Sequence, residues 1–183
     1  MKLVKKLNNQ DILVLKSDFF KDERGYFYEA FNLKKFQNLI GAEINFVQDN
    51  HSLSKKNVLR GLHFQTTPFA QGKLIRVLKG EIFDVVLDLR ENSPNFGKYD
   101  SIILSSENNY QLWIPEGFAH GFYAMSDNVE ILYKTTKFYM AEYEKTILYN
   151  DEDLNIKWPS SNFIISKKDS LGLKFKEFLN GKN

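Results

Sequence analysis

The stretch Leu74-Ile-Arg-Val-Leu-Lys-Gly80-Glu-Ile-Phe-Asp-Val-Val-Leu-Asp-Leu89 decides the fold class. It contains two apolar runs, 74–78 and 82–89, and a tight turn at Lys79-Gly80 separates them. Acidic and apolar side chains share the second run in a period of two, which is typical of a strand rather than a helix. The stretch therefore predicts two β-strands that are joined by a short turn.

Further short apolar runs follow at 101–104, 111–114 and 129–136, and polar, turn-forming residues separate them. Many short strands at such spacing favour an all-β sandwich or barrel, whose interior can hold one small ligand. Only two helices are predicted. Residues 33–40 have an apolar face between Asn32 as an N-cap and Gly41 as a stop, and a shorter helix is expected near 173–179.

Composition excludes several classes of function. The 25 basic and 23 acidic residues leave a formal charge of +2 without a basic stripe, so nucleic acid is not an expected partner. The chain has no cysteine, which excludes disulfides and thiolate chemistry and is typical of a reducing compartment. No segment resembles a signal peptide or a membrane span, so we expect one cytoplasmic domain, residues 1–183, without a membrane partner.

His63 is the histidine with the most reactive surroundings among the three that the chain contains. Lys73 follows it closely, and Tyr133 and Asp169 lie farther along the chain. A base, a cation, a phenol and a carboxylate are the groups that proton abstraction beside a carbonyl requires. The base takes the proton, the cation stabilises the enolate oxygen, and the phenol returns a proton from the opposite face.

Strand periodicity supports this group in part. Tyr133 shares a face with Val129 and Ile131, which we expect to be buried. Arg60 and His63 are three residues apart, however, and a regular strand would place them on opposite faces. A bulge at the intervening Gly61 would bring both side chains inward.

A metal site is not expected. Metal-binding cupin barrels use a His-x-His pair, and here the stretch Gly61-Leu-His63-Phe-Gln65 has glutamine at the second position. Glutamine is a poor ligand for the transition metals that imidazole binds. The stretch Pro115-Glu-Gly-Phe-Ala-His120 does resemble the second cupin motif, but two histidines without a thiolate leave the ligand set incomplete.

Blocks of sequence between about residue 14 and residue 169 resemble the dTDP-4-dehydrorhamnose 3,5-epimerase family. The main blocks are Phe20-Lys-Asp-Glu-Arg24-Gly-Tyr-Phe27-Tyr-Glu29, Phe46-Val-Gln48-Asp-Asn50-His-Ser, Val58-Leu-Arg60-Gly-Leu-His63-Phe-Gln65, Gln71-Gly-Lys73-Leu, Trp113-Ile-Pro-Glu-Gly-Phe-Ala-His120-Gly-Phe and Leu132-Tyr133-Lys-Thr-Thr-Lys-Phe-Tyr139. The resemblance implies a cupin-like double-stranded β-helix (jelly roll) with a few short helices, which works as a homodimer without a metal or other cofactor.

The resemblance also implies an activity and a set of site residues. The activity is that of an isomerase, which epimerises C3 and C5 of dTDP-4-dehydro-6-deoxy-D-glucose during dTDP-L-rhamnose biosynthesis. His63 would be the base, with Asp169 orienting it, Lys73 stabilising the enolate at O4 and Tyr133 acting as the acid. The implied substrate-binding residues are Arg24, Phe27, Glu29, Gln48, Asn50, Arg60, His120, Tyr139, Glu144 and Lys168.

Three alternatives remain open at this point. The same residues would serve an epimerase that inverts one centre only, or one that acts on another nucleotide-linked 4-keto hexose or heptose. A non-catalytic sugar-binding barrel would keep the aromatic and arginine residues but would not need the acid and base. A metal-dependent cupin oxygenase or isomerase would contain bound iron, nickel or zinc.

Overall fold

Two antiparallel β-sheets pack face to face in the computed structural model, which describes residues 1–181. The strands are β1 (Lys2–Lys6), β2 (Leu13–Lys16), β3 (Phe20–Asp22), β4 (Gly25–Phe27), β5 (Gln48–Ser54), β6 (Val58–Gln65), β7 (Lys73–Lys79), β8 (Glu81–Asp88), β9 (Tyr99–Ser105), β10 (Tyr110–Ile114), β11 (Phe118–Ala124), β12 (Val129–Thr135), β13 (Glu144–Thr146) and β14 (Ile164–Ile165). The helices are α1 (Leu33–Ile40), α2 (Lys167–Ser170) and α3 (Phe175–Asn180), and a 3-10 turn covers Ala141–Tyr143.

The first sheet has the order β1-β2-β10-β7-β12-β5, and the second has the order β13-β6-β11-β8-β9 with β14 beside β6. Strands β3 and β4 form a separate hairpin. The prediction of an all-β chain with a few short helices is confirmed.

The space between the sheets is filled by apolar side chains at one end and left open at the other. Ile75 and Ile131 of the first sheet meet Val86 and Phe122 of the second in the main buried cluster. Tyr133 packs against the edge of this cluster, on the same face as Ile131, as the periodicity of β12 predicts. The phenol therefore lies where the filled core gives way to the open part of the barrel.

The two strands on either side of Gly80 are present, but they do not form the hairpin that their closeness in sequence suggests. β7 pairs with β10 and β12 in the first sheet, whereas β8 pairs with β9 and β11 in the second. Gly80, with φ +80°, turns the chain from one sheet into the other. Both strands carry apolar side chains on two faces, one against the other sheet and one against the layer that covers the outside. Their sequences therefore do not specify which strands they pair with, and strands distant in the chain decide it.

Helix α1 forms as predicted. The Asn32 side chain accepts a hydrogen bond from the Lys35 N–H (3.1 Å), and Gly41 ends the helix in the left-handed conformation at φ +70°. Phe36 is the buried residue of the helix, and it packs with Trp113 on the outer side of the first sheet. The expected C-terminal helix is present as α3, which covers the outer side of the second sheet through Phe178.

Helix α2 was not predicted, because its four residues, Lys167–Ser170, have no apolar periodicity. The Ser166 side chain caps it by accepting a hydrogen bond from the Asp169 N–H (3.1 Å). None of the helices within residues 1–181 is long and apolar enough to cross a bilayer.

Candidate active site

The open end of the barrel forms a cavity of about 390 Å³ between the two sheets. Strands β5, β6, β7, β11 and β12 supply most of its walls, and the segment that follows β12 forms part of its rim. It is lined by Gln48, Asn50, Ser52, Arg60, His63, Phe64, Gln65, Gln71, Lys73, His120, Gly121, Phe122, Ile131, Tyr133, Tyr139 and Glu144.

His63 is paired with Asp169, which is 106 residues away in sequence. Its Nε2 lies 2.5 Å from Asp169 Oδ1, and helix α2 holds the carboxylate against β6. Burial favours a neutral Asp169, but the hydrogen bond and the charge of His63 outweigh it and hold the pKa of the carboxyl below its usual value. Because an ionised Asp169 can only accept, His63 Nε2 is the donor in this hydrogen bond, and in the neutral imidazole the lone pair lies on Nδ1.

Lys73 lies at the start of β7, with its side chain buried in the cavity wall. Its Nζ donates a hydrogen bond to the His63 carbonyl (3.2 Å), so the ammonium lies beside the histidine. Burial lowers the pKa of Lys73 to about 8, even though the Glu144 and Asp84 carboxylates favour its charged form. At neutral pH the cavity therefore contains a poorly solvated cation that can stabilise an anion.

Tyr133 supplies a phenol to the same cavity. Burial, and then the negative charge of Glu144, raise the pKa of Tyr133 above its usual value of 10. The phenol therefore keeps its proton at neutral pH. A protonated phenol is a donor, which is the form that an acid must have before it gives a proton to carbon.

Glu144 joins several groups at the rim of the cavity. It accepts a hydrogen bond from the Tyr139 hydroxyl (2.6 Å) and forms an ion pair with Lys168, which immediately precedes Asp169. Burial opposes ionisation of Glu144, but these two donors outweigh it and lower its pKa. Glu144 thus ties the rim of the cavity to helix α2, which carries Asp169.

A second histidine–aspartate pair lies deeper in the wall. His120 Nε2 is 2.8 Å from Asp84 Oδ2, and burial raises the pKa of this fully buried carboxyl. Asp84 was not among the predicted site residues. The available signal was an acidic residue in the middle of the apolar run of β8, on the face that points into the barrel.

A bulge at Gly61 resolves the conflict between Arg60 and His63. On β11 the partners of Arg60 and His63 are two positions apart, whereas Arg60 and His63 themselves are three positions apart on β6. The extra residue reverses the alternation of side chains, and both Arg60 and His63 line the cavity. Gly61 has φ +117°, a backbone conformation that favours glycine.

Gly61→Ala should destabilise the protein by about 3 kcal/mol or more, as backbone strain combines with overpacking. A Cβ at this position would lie 2.5 Å from Gly121 Cα and 2.7 Å from the His120 carbonyl oxygen. Gly25→Ala is a matched control, because Gly25 has φ +124° but no atom within 4 Å of its added Cβ. The control should lose about 1–2 kcal/mol from strain alone. Equal losses in urea unfolding would contradict this account of the bulge.

Most of the predicted binding residues also meet at the cavity. Gln48, Asn50, Arg60, His120, Tyr139 and Glu144 line it, and Lys168 reaches its rim through Glu144. Arg60 is oriented by its hydrogen bonds to the Ser54 hydroxyl (3.0 Å) and the Leu53 carbonyl (3.1 Å).

Besides Lys168, three predicted binding residues do not lie among those that line the cavity. Arg24 is paired with Asp22 on the β3–β4 hairpin, and Phe27 is 71% exposed at the end of β4. Glu29 accepts hydrogen bonds from Lys35 and Asn32, near the start of α1.

The side chain of Gln65 bonds to the backbone. Its amide nitrogen donates to the Phe69 carbonyl (2.7 Å), and its oxygen accepts from the Met140 N–H (2.7 Å). Within residues 1–181, no three His, Asp or Glu side chains are grouped so that they could hold a metal ion. The expectation that the protein works without a metal stays a prediction.

Comparison with known proteins agrees with the resemblance seen in the sequence. The model of the dTDP-4-dehydrorhamnose 3,5-epimerase family matches residues 6–177. The epimerase of that name from Salmonella typhimurium is 53% identical over 171 residues, which cover 93% of each chain. The one from Shigella flexneri is 53% identical over 165 residues, which cover 90% of this chain and 91% of the relative.

Solved structures of the family have the same fold. The Bacillus anthracis enzyme, with TDP and PPi bound, superposes with a TM-score of 0.91 at 41% identity and covers 95% of this chain and 99% of its own. The Legionella pneumophila enzyme, in complex with dTDP-4-keto-L-rhamnose, has a TM-score of 0.89 at 45% identity, over 92% and 89% of the two chains. The predicted cupin-like jelly roll is thereby confirmed, and the chain belongs to the dTDP-4-dehydrorhamnose 3,5-epimerase family.

Proposed function

We propose that this chain inverts C3 and C5 of dTDP-4-dehydro-6-deoxy-D-glucose, the activity for which its relatives are named. The product is dTDP-4-dehydro-L-rhamnose, and the reaction is a step in dTDP-L-rhamnose biosynthesis. The observation that carries the proposal is the His63–Asp169 pair. Its histidine lines the same cavity as Lys73 and Tyr133. The cavity volume of about 390 Å³ suits a small molecule such as a sugar.

The reaction begins with removal of a proton from a carbon beside the C4 ketone. His63 Nδ1 takes this proton, and the ionised Asp169 stabilises the imidazolium that forms. The electron pair of the broken C–H bond forms a C=C double bond to C4, and the π pair of the C4 ketone moves onto its oxygen, which becomes an enolate oxygen. The Lys73 ammonium stabilises this new negative charge in a region that water reaches poorly.

The reaction ends with a proton delivered to the opposite face of the same carbon. Tyr133 gives its phenolic proton to the carbon. The C4 ketone re-forms, and the configuration of the reprotonated carbon is inverted. Solvent then restores the proton of Tyr133 and removes the proton of His63. Both C3 and C5 lie next to C4, so the ketone makes the proton on each of them acidic, and we propose that the same pair of groups serves both carbons.

Deuterium labelling tests this activity. The protein, incubated with the substrate in deuterated water, should place deuterium at both C3 and C5, because solvent replaces the proton that Tyr133 gives. NMR spectroscopy of the product measures the label at each carbon. A label at one carbon would identify a one-centre epimerase, and no label at either carbon would overturn the proposal.

The protein is proposed to work as a homodimer in which each cavity receives residues from the other chain. The support comes from the β3–β4 hairpin, where Phe20, Tyr26 and Phe27 are between 66% and 71% exposed. Large aromatic side chains that project together from a hairpin are typical of a surface that another protein covers. In a dimer, Arg24 and Phe27 could reach the partner's cavity, which would explain why they lie outside their own.

A further inference from the structure

Residues 137–140 form a rim segment that belongs to no helix or strand. Its backbone polar groups have no partners from a helix or a sheet ladder, and they bond to side-chain partners although Lys137, Phe138 and Tyr139 are themselves exposed. Three glutamine side chains provide these partners, and together they reach four consecutive residues. The hydrogen bonds join Gln71 Nε2 to the Lys137 carbonyl (2.8 Å), Gln65 Nε2 to the Phe138 carbonyl (3.2 Å), the Tyr139 N–H to Gln48 Oε1 (2.9 Å) and the Met140 N–H to Gln65 Oε1 (2.7 Å).

Gln65 is central among these three residues. It is only 5% exposed and makes two of the four bonds, whereas Gln48 and Gln71 are half-buried. Its amide nitrogen also donates to the Phe69 carbonyl, so Gln65 joins the loop between β6 and β7 to the rim segment. Both amide hydrogens are therefore engaged by the protein, and neither remains for a ligand.

The chemistry of the amide explains why this position requires glutamine. The two backbone carbonyls need two donors, and the Met140 N–H needs an acceptor. A glutamate side chain has no donor when it is ionised. A methionine side chain has no donor, and its sulfur is only a weak acceptor. The amide at this position therefore has a structural role, which is to bond to the backbone, and this role does not involve a metal.

The rim segment carries Tyr139, which lines the cavity and donates its hydroxyl hydrogen bond to Glu144. The backbone on both sides of Tyr139 is held by Gln65, through the Phe138 carbonyl and the Met140 N–H. We propose that Gln65 is a positioning residue, which fixes Tyr139 as a preformed wall of the substrate site. The inference rests on the proposed function, because it treats Tyr139 as a residue that contacts the nucleotide sugar.

Gln65→Met tests the inference, because it keeps the length of the side chain and removes all three hydrogen bonds. The KM for the nucleotide sugar should rise about tenfold while kcat stays within about twofold, since a misplaced wall weakens binding of substrate and transition state alike. Gln37→Met is the matched control. Gln37 also donates to a backbone carbonyl, that of Ile44, but it lies in α1 away from the cavity, and KM should not change.

A double-mutant cycle separates positioning from a general loss of structure. In a Tyr139→Ala background, Gln65→Met should raise KM by no more than about twofold, because the group that it positions is already gone. Full additivity of the two effects, or an unchanged KM in Gln65→Met alone, would overturn the inference. If Gln65→Met does not fold, Gln71→Met should raise KM about threefold, because it removes one of the four bonds to the rim segment, and no rise would count equally against the inference.

Calorimetry with dTDP distinguishes this inference from the proposed function. Gln65→Met should weaken dTDP binding by about tenfold whether or not the chain turns over the sugar. If the wild-type protein places no deuterium in the sugar, the proposed function fails, yet dTDP affinity still decides the role of Gln65. If the wild-type protein is active and Gln65→Met binds dTDP as the wild type does, the positioning role alone is wrong.

Discussion

His63→Asn should lower kcat by about 10²- to 10⁴-fold, the range typical of loss of a general base. Asparagine keeps a polar side chain that can lie near Asp169, but it cannot accept a proton at neutral pH. The rate of deuterium incorporation at C3 and C5 measures the loss at each carbon. Binding of dTDP should change little, because the imidazole acts on the sugar.

Asp169→Asn provides the comparison for this prediction. It should lower kcat less than His63→Asn does, because the base remains while the charge that stabilises its protonated form is lost. Asp169 has its pKa held below the usual value by His63, so the pair should stay intact at neutral pH. A kcat for His63→Asn within tenfold of the wild type would rule out His63 as the base.

Mixing two inactive variants tests the proposed dimer with the same assay. His63→Asn lacks the base, and Arg24→Ala lacks a proposed binding group that lies outside the cavity of its own chain. In a mixed dimer, one of the two sites would combine an intact His63 with the partner's intact Arg24. Mixing should therefore restore part of the activity, whereas a monomer would gain nothing.

Removal of the Lys73 ammonium should have the second-largest effect. Lys73→Met should lower kcat by about 10²- to 10³-fold, as expected when one group that stabilises a developing oxyanion is lost. Methionine fills a similar volume, so the cavity wall should keep its shape. Circular dichroism and thermal melting would check that the variant is folded, and an activity near that of the wild type would contradict the proposed role.

The pH profile of the wild-type enzyme provides an independent test of Lys73. The pKa of Lys73 is lowered to about 8 by burial, so the ammonium is present at pH 7 and is lost as the pH rises through 8. A plot of kcat/KM against pH should therefore fall above about pH 8, since this ratio reports the ionisation of the free enzyme. Tyr133 does not produce this fall, because its own pKa is raised above 10.

A neighbouring lysine supplies the control for this profile. Lys134 lies on β12 and bonds to Asp49 (2.9 Å), and it is not among the residues that line the cavity. Lys134→Met should keep the fall near pH 8. Lys73→Arg should remove it, because a guanidinium stays protonated in this range. A fall that persists in folded Lys73→Arg would assign the ionisation to another group.

The site could be predicted in part because some of its residues lie close together in sequence. His63 and Lys73 are on neighbouring strands of the chain, and strand periodicity places Tyr133 on the inner face of β12. The bulge that lets Arg60 and His63 share the cavity was inferred from Gly61, since glycine in a strand often marks one. The roles of Asp169 and Glu144, by contrast, came only from resemblance to a family.

Asp84 and Gln65 show what periodicity misses. Asp84 is fully buried and pairs with His120 on the adjacent strand β11. Its place in the apolar run of β8 is a signal of a buried carboxylate, but the run does not identify the partner. Gln65 was recognised only as an unsuitable metal ligand. Its hydrogen bonds reach residues 138 and 140, more than 70 positions away in the chain, so the pattern of β6 could not indicate them.

The sequence by itself determined the features that depend on near neighbours in the chain. The strands around Gly80, the cap at Asn32 and the end of α1 at Gly41 follow from local propensity and hydrogen bonding. Only the tertiary structure decided which strands pair, that β7 and β8 lie in different sheets, and that Asp169 meets His63 across 106 residues. These contacts, and the burial that lowers the pKa of Lys73, depend on how distant segments pack, because desolvation and strand pairing arise only when the sheets have come together.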